Sequence, residues 1–229
     1  MKYGYSGSYY GGNSYGGSKK RSGILVFILL LVVAAIVFSL VKKVGRSHRA
    51  IAGIREPIQK ETTGYVDTKI SGYDIRIEFK YSYDIEALVV STKNYNGSGI
   101  GDKLSPRDVA LAWGKVAEYN KKIDFNWKQS GRWVNWSVSN VDVLDPVGGI
   151  DGVARQCSNN HLIPADTRVK KAIKKIKKGD HIRITGYLVY IDGKKSDGTT
   201  FFWNSSTTRD DDGDGACEVI YVTDVEWLK

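Results

Sequence analysis

Apolar positions run almost unbroken from Ile24 to Val41, eighteen residues in which only Ser39 is polar. At about 1.5 Å per residue such a helix is roughly 27 Å long, close to the thickness of a bilayer's hydrocarbon layer. The pattern therefore predicts a transmembrane helix over residues 23–44. It is too apolar on every side for the core helix of a small globular domain. A cleaved signal peptide has a shorter apolar run ending at small residues, whereas Val41 is followed by Lys42 and Lys43, as in an uncleaved anchor. Residues 1–22 are mostly Gly, Tyr and Ser with a recurring Tyr-Gly element, too poor in aliphatic surface to fold, and predict a disordered tail. Residues 45–62 carry Gly45, Gly53 and Pro57 without periodicity and read as a linker.

Beyond them, residues 63–229 predict one globular domain. From Tyr73 to Tyr83 the sequence alternates, with Ile75, Ile77, Phe79 and Tyr81 on one face and Asp74, Arg76, Glu78 and Lys80 on the other, the signature of a half-buried strand. Ile85 to Thr92 reads as a more buried strand. Ser105 with Pro106 behind it reads as a helix start running to about Tyr119, because Ser caps free N–H groups and Pro suits the first helical position. Arg132 to Val138 predicts a Trp-rich strand, and Cys157, Asn159, Asn160 and His161 fall in a long loop. A second helix is predicted from about Asp166 to Lys177. Three strands follow at His181–Ile191, Thr200–Ser205 and Cys217–Trp227, the first two joined around Asp192-Gly193 and Asp197-Gly198. Short strands, two helices and no βαβ rhythm predict an α+β fold on a mainly antiparallel, curved sheet; the specific form expected is a partly open barrel resembling the oligonucleotide- and oligosaccharide-binding (OB) fold.

Charge changes this picture in one respect. The chain carries a net charge of +9, which would ordinarily point to an anionic partner. Nine bases and no acid lie in residues 1–55, so the remainder holds 34 − 9 = 25 bases against all 25 acids. The domain is formally neutral, the basicity belongs to the flanks of the apolar span, and nucleic acid is disfavoured as a partner. Lys19, Lys20 and Arg21 before the span nearly balance Lys42, Lys43, Arg46 and Arg49 after it. A short basic tail resists translocation more than a long C-terminal domain does, so the expected topology is single-pass in the inner or plasma membrane, with a cytoplasmic N-terminus and an extracytoplasmic domain.

Several short motifs keep their order over residues 72–227: Ala87-Leu-Val-Val-Ser91, Leu111-Ala-Trp-Gly114, Ser158-Asn-Asn-His-Leu162, Gly179-Asp180 with Gly186-Tyr-Leu-Val189, and Ser205-Ser206 leading to Arg209 and Gly215-Ala-Cys-Glu218. Together they resemble a family of uncharacterised, membrane-anchored bacterial envelope proteins. The resemblance implies a bacterial envelope location and no activity. Asn160, His161, Arg209 and Cys217 fall on its pattern, while Cys157 stands at a variable position.

Several candidate sites follow from the residues. Asp210-Asp-Asp-Gly-Asp-Gly215 fits D-x-D-x-D-G, which would aim Asp210, Asp212 and Asp214 at a hard cation such as calcium; Tyr221 replaces the bidentate Glu of an EF-hand, and an acidic turn between strands is the alternative. His161 is the histidine best placed for acid–base work, with Cys157, Arg209 and Glu218 as companions, or else it holds its loop by hydrogen bonds. Cys157 and Cys217 would close a 60-residue loop as a disulfide, worth about 4 kcal/mol, or stand apart as thiols. Arg168 to Lys178 holds seven bases around Val169, Ala172, Ile173 and Ile176, either a solvated helix face or one suited to anionic headgroups or wall polymer. Trp127, Trp133, Trp136 and Trp203 stack on sugars or bases if exposed and otherwise fill the core. P-loop, dinucleotide and nucleophile-elbow signatures are absent. The leading expectation is a noncatalytic binding or structural module contacting an envelope polymer or protein. The alternative is a hydrolase or transferase using His161, Arg209 and the Asp210–Asp214 loop, with calcium.

Overall fold

A computed structural model describes residues 18–47, 49–208 and 216–229. The chain forms two units, residues 1–44 and 45–229. In the first, helix α1 (Ser18–Ser47) carries Ile24–Val41, whose eighteen residues and mean hydropathy of 3.4 make it long and apolar enough to cross a membrane, and none of it is buried.

The second unit is α+β, with a mainly antiparallel sheet. It begins with β1 (Ile58–Glu61), β2 (Tyr65–Ile70) and the 22-residue β3 (Tyr73–Asn94), followed by α2 (Ile100–Leu104), β4 (Arg107–Ala112) and α3 (Gly114–Tyr119). A small hairpin of β5 (Lys128–Ser130) and β6 (Trp133–Asn135), a 3-10 turn over Val141–Val147 and α4 (Gly149–Arg155) lead to β7 (Cys157–Pro164). Then come α5 (Thr167–Lys175), β8 (His181–Lys195), β9 (Thr200–Asn204) and β10 (Glu218–Trp227).

Five of these strands pair in a ring. β3 pairs with β4, β4 with β7, β10 with β8 and β8 with β3, all antiparallel, and the ring closes through the parallel pair β7–β10. β3 can serve on two sides of the ring because register shifts between Phe79 and Tyr81 and between Val89 and Ser91 let so long a strand bend. Its first half also pairs with β2, and β1 and β9 extend the sheet from β3 and β8. The main core gathers Ile85, Leu88, Leu111, Trp113, Leu162, Ile184 and Ile220; a smaller cluster holds Ile75, Ile77, Leu104, Val189, Ile191 and Val219. At Gly186 the β8 backbone runs so close to β10 that an added Cβ would sit 2.2 Å from the Tyr221 carbonyl oxygen. α5 docks on Val169, Ile173 and Ile176, is capped by Asp166 accepting from the Val169 N–H at 2.7 Å, and turns Lys170, Lys171, Lys174 and Lys175 to solvent.

The local expectations fail in instructive places. Arg107–Ala112 is a strand where a helix from Ser105 was expected, and only Gly114–Tyr119 is helical. β4 is paired along both edges, with β3 and β7, and buried on both faces, so tertiary pairing overrides the local helix-start signal. Cys157–Pro164 is a central strand and not a loop; its Asn and His side chains are buried in the sheet. The two segments expected at 73–83 and 85–92 are one strand, and Asp192-Gly193 lies within β8 rather than in a turn. The stretch expected as a linker is held to the domain: Ile54 is buried, the Ile51 N–H donates to the Ala117 carbonyl at 3.0 Å, and β1 pairs with β3. Four helical segments besides α5 lie in the domain, against the two helices expected.

Candidate functional site

A cleft of about 570 Å³ opens over the face of β7 that carries His161. Gly101 of α2, Arg132 and Trp133 of the small hairpin, His161 of β7, the β9 residues Phe201 to Asn204, and Cys217 line it. Its floor follows from register. Asp108 of β4 lies directly opposite His161 of β7, so the two side chains emerge on the same face. Asp108 is fully buried and its Oδ1 stands 2.9 Å from His161 Nδ1, off the line of a directed hydrogen bond. The second carboxylate oxygen, Oδ2, has no hydrogen-bond partner among the described residues.

Arg132 organises the wall. Gly131 and Arg132 form the two-residue loop of the β5–β6 hairpin, and both have left-handed backbones, with φ of 57° and 68°. That is the turn a tight hairpin prefers, but for arginine it costs on the order of 1 kcal/mol and persists only where the surroundings enforce it. They do. The Arg132 N–H donates to the Tyr95 hydroxyl at 2.9 Å, and its carbonyl accepts from Asn159 Nδ2 at 2.7 Å. Nη1 donates to Asp108 Oδ1 at 3.0 Å, and Nη2 to Asp102 Oδ1 at 2.5 Å and to the Ser105 carbonyl at 3.1 Å. The guanidinium also lies 4.1 Å from the centre of the Tyr95 ring and 5.2 Å from that of Trp203. One cation thus faces two carboxylates under an aromatic cover. Burial, followed by the nearby Asp108 charge, pushes the Tyr95 phenol up to about 12.

The aromatic side is built by β9. Trp203 lies against His161, with ring centres 4.7 Å apart, and meets Phe201 edge-on at 6.3 Å. Phe202 projects from the opposite side of the strand and is 74% exposed. The Cys217 thiol approaches the Arg132 carbonyl at 3.7 Å, and Asn159 Nδ2 approaches its sulfur at 3.8 Å.

No family model, curated protein or solved structure matches this chain.

Of the residues singled out from sequence, His161, Cys217, Trp133 and Trp203 meet in this cleft. Glu218 does not join them. In the parallel pair β7–β10 it lies opposite Asn160, so it shares that residue's face, while His161 points to the other. Arg209, Asp210, Asp212 and Asp214 lie outside the described residues, as does the acidic loop as a whole. Among the described residues, no group of three or more His, Cys, Asp or Glu side chains is arranged to hold a metal ion. Cys157 and Cys217 form no disulfide; Cys157 packs against the main core. His181 contacts Glu86 at 2.8 Å, and Trp127 is buried with its indole N–H donating to Asn120 at 2.8 Å. Sequence reasoning missed Asp108, hidden in an expected helix, and Arg132, whose turn position only the hairpin reveals.

Proposed function

We propose that the chain is a single-pass, membrane-anchored module of the bacterial envelope, whose domain binds an envelope polymer or protein noncatalytically through the β4–β7 cleft. The observation that carries this reading is the coincidence of the cleft with a ligand-binding position of the OB architecture. Numbered along the chain, the five ring strands β3, β4, β7, β8 and β10 pair in the order 1-2-3-5-4-1, with the third parallel to the fifth and α5 between the third and fourth. That order supports an OB-like barrel, which binds oligomers over strands two and three between the first and last of its connecting loops. Here those loops supply Gly101 on one side and Phe201 to Asn204 on the other, with His161 on the third strand between them.

The apolar helix and its basic flanks support anchorage, and the resemblance noted in the sequence supports the envelope. The noncatalytic character is favoured by the burial of His161, only 3% exposed beneath Trp203, and by the separation of Glu218 from it. The test is photo-crosslinking in cells of full-length chains carrying a benzophenone amino acid at Trp133, which lines the cleft, with exposed Val141 as the control position. A discrete envelope adduct at 133 and none at 141 is expected. Equal adducts, or none at 133 from a folded protein, would refute use of this cleft.

A further inference from the structure

Whether the cleft takes a charged or an uncharged partner can be decided from its electrostatics. Among the described residues that line it Arg132 is the one cation, and that guanidinium is already matched by two carboxylates, Asp102 at 2.5 Å and Asp108 at 3.0 Å. These residues therefore carry no positive surplus. A phosphate-rich or otherwise anionic polymer would gain none of the ion release that drives binding to basic grooves, and would meet the Asp102 carboxylate at the rim, whose side chain is 25% exposed. A cationic ligand meets the opposite obstacle, because Arg132 already occupies the cation position over Trp203 and Tyr95.

The remaining lining is aromatic and neutral-polar: Trp133, Phe201, Phe202 and Trp203, with Asn204 and His161 beside them. A flat apolar ring with polar groups at its margin matches one kind of oligomer closely, the pyranose chain, whose C–H faces stack on aromatic rings while its hydroxyl edges take up amide groups such as that of Asn204. Trp133 and Phe201 are only partly buried, so their rings leave apolar surface in the cleft for a stacked ligand to cover. The cleft volume lies within the range of preformed ligand sites and suits a short segment of a chain.

We infer that the cleft binds an uncharged glycan, stacked on these aromatic residues and hydrogen-bonded along its edge. This rests on the binding-module reading above and adds the ligand class. Full-length protein in nanodiscs is titrated with cellotetraose, chitotetraose and maltotetraose, with oligothymidylate and a proline-rich peptide alongside, followed by tryptophan fluorescence and calorimetry. Saturable binding of at least one tetrasaccharide is expected, weakened at least fivefold by Trp133→Ala, retained by Trp133→Phe, and changed less than about twofold by raising the salt tenfold. Because Trp133 belongs to neither buried cluster, its truncation leaves the core intact, and an unchanged melting temperature verifies this. Binding of oligothymidylate or peptide, but of no tetrasaccharide, in a Trp133-dependent manner overturns the glycan inference and leaves the module reading standing. Binding that ignores Trp133, or no binding of any probe, overturns both.

Discussion

Replacing Arg132 by alanine isolates the energetics of the site from its ligand. The substitution removes the guanidinium donors to Asp108, Asp102 and the Ser105 carbonyl and leaves Asp108, fully buried, with its charge uncompensated by any guanidinium. Breaking a buried ion pair from one side costs about 3–5 kcal/mol. Arg132 keeps 20% side-chain exposure, which favours the lower end, while the lost stacking on Tyr95 and Trp203 adds back about 0.5–1 kcal/mol. A loss of about 3–4 kcal/mol corresponds to a melting-temperature drop of roughly 10 °C for a unit of this size. Far-UV circular dichroism melts of the wild type, Arg132→Ala and Arg132→Ala/Asp108→Asn measure it. The double variant removes the stranded charge along with its partner and is expected to recover about 2 kcal/mol. The reasoning is refuted if Arg132→Ala costs less than about 1 kcal/mol, the level of an exposed pair, or if the double variant is no more stable than the single one.

Further outcomes are expected. A domain starting at residue 45 should unfold cooperatively, whereas one starting at residue 63 loses Ile54 and β1 and should be less stable by at least about 2 kcal/mol in urea denaturation. Gly186→Ala should destabilise by about 3 kcal/mol or abolish folding, read as the soluble yield and melting temperature, because neither β8 nor β10 can yield the space. The Tyr95 phenol is raised to about 12 by burial and by Asp108, from about 10 when unfolded; its neutral form is the one the fold favours. The stability it contributes is therefore present below about pH 10 and is lost as pH rises towards 12. Melts across that window should fall more steeply for the wild type than for Tyr95→Phe.

How far this was legible in the sequence depended on whether a residue's neighbours or its distant partners decide its state. The apolar span, the alternating strand from Tyr73, the amphipathic α5 and the closing β strands carry their own periodicity, and the structure follows it. Ser105-Pro106 carries an equally valid local signal for a helix, but Asp108 to Ala112 lie between two strands whose partners are remote in sequence. Polar Asn159, Asn160 and His161 look like a loop because central strands are usually apolar; here they serve hydrogen bonds to Arg132 and Val109 and the contact with Asp108. His161 and Trp203 could be nominated from residue type alone. Asp108 and Arg132 could not, since their meaning depends on a hairpin turn and a strand register that no short window contains.

The ring closure also constrains how the protein comes into being. β3 begins at residue 73, yet its long pairing with β8 reaches Lys195, and the parallel pair that completes the circuit needs β10, which ends at Trp227. During synthesis the early strands therefore wait, edges bare, while more than a hundred further residues are made, and the barrel cannot shut on any partial chain. Such dependence on distant pairing predicts slow maturation and a period of vulnerability to misassociation. Nascent chains made close together would face that hazard at high local concentration, in the interval between the emergence of β3 and the arrival of β10.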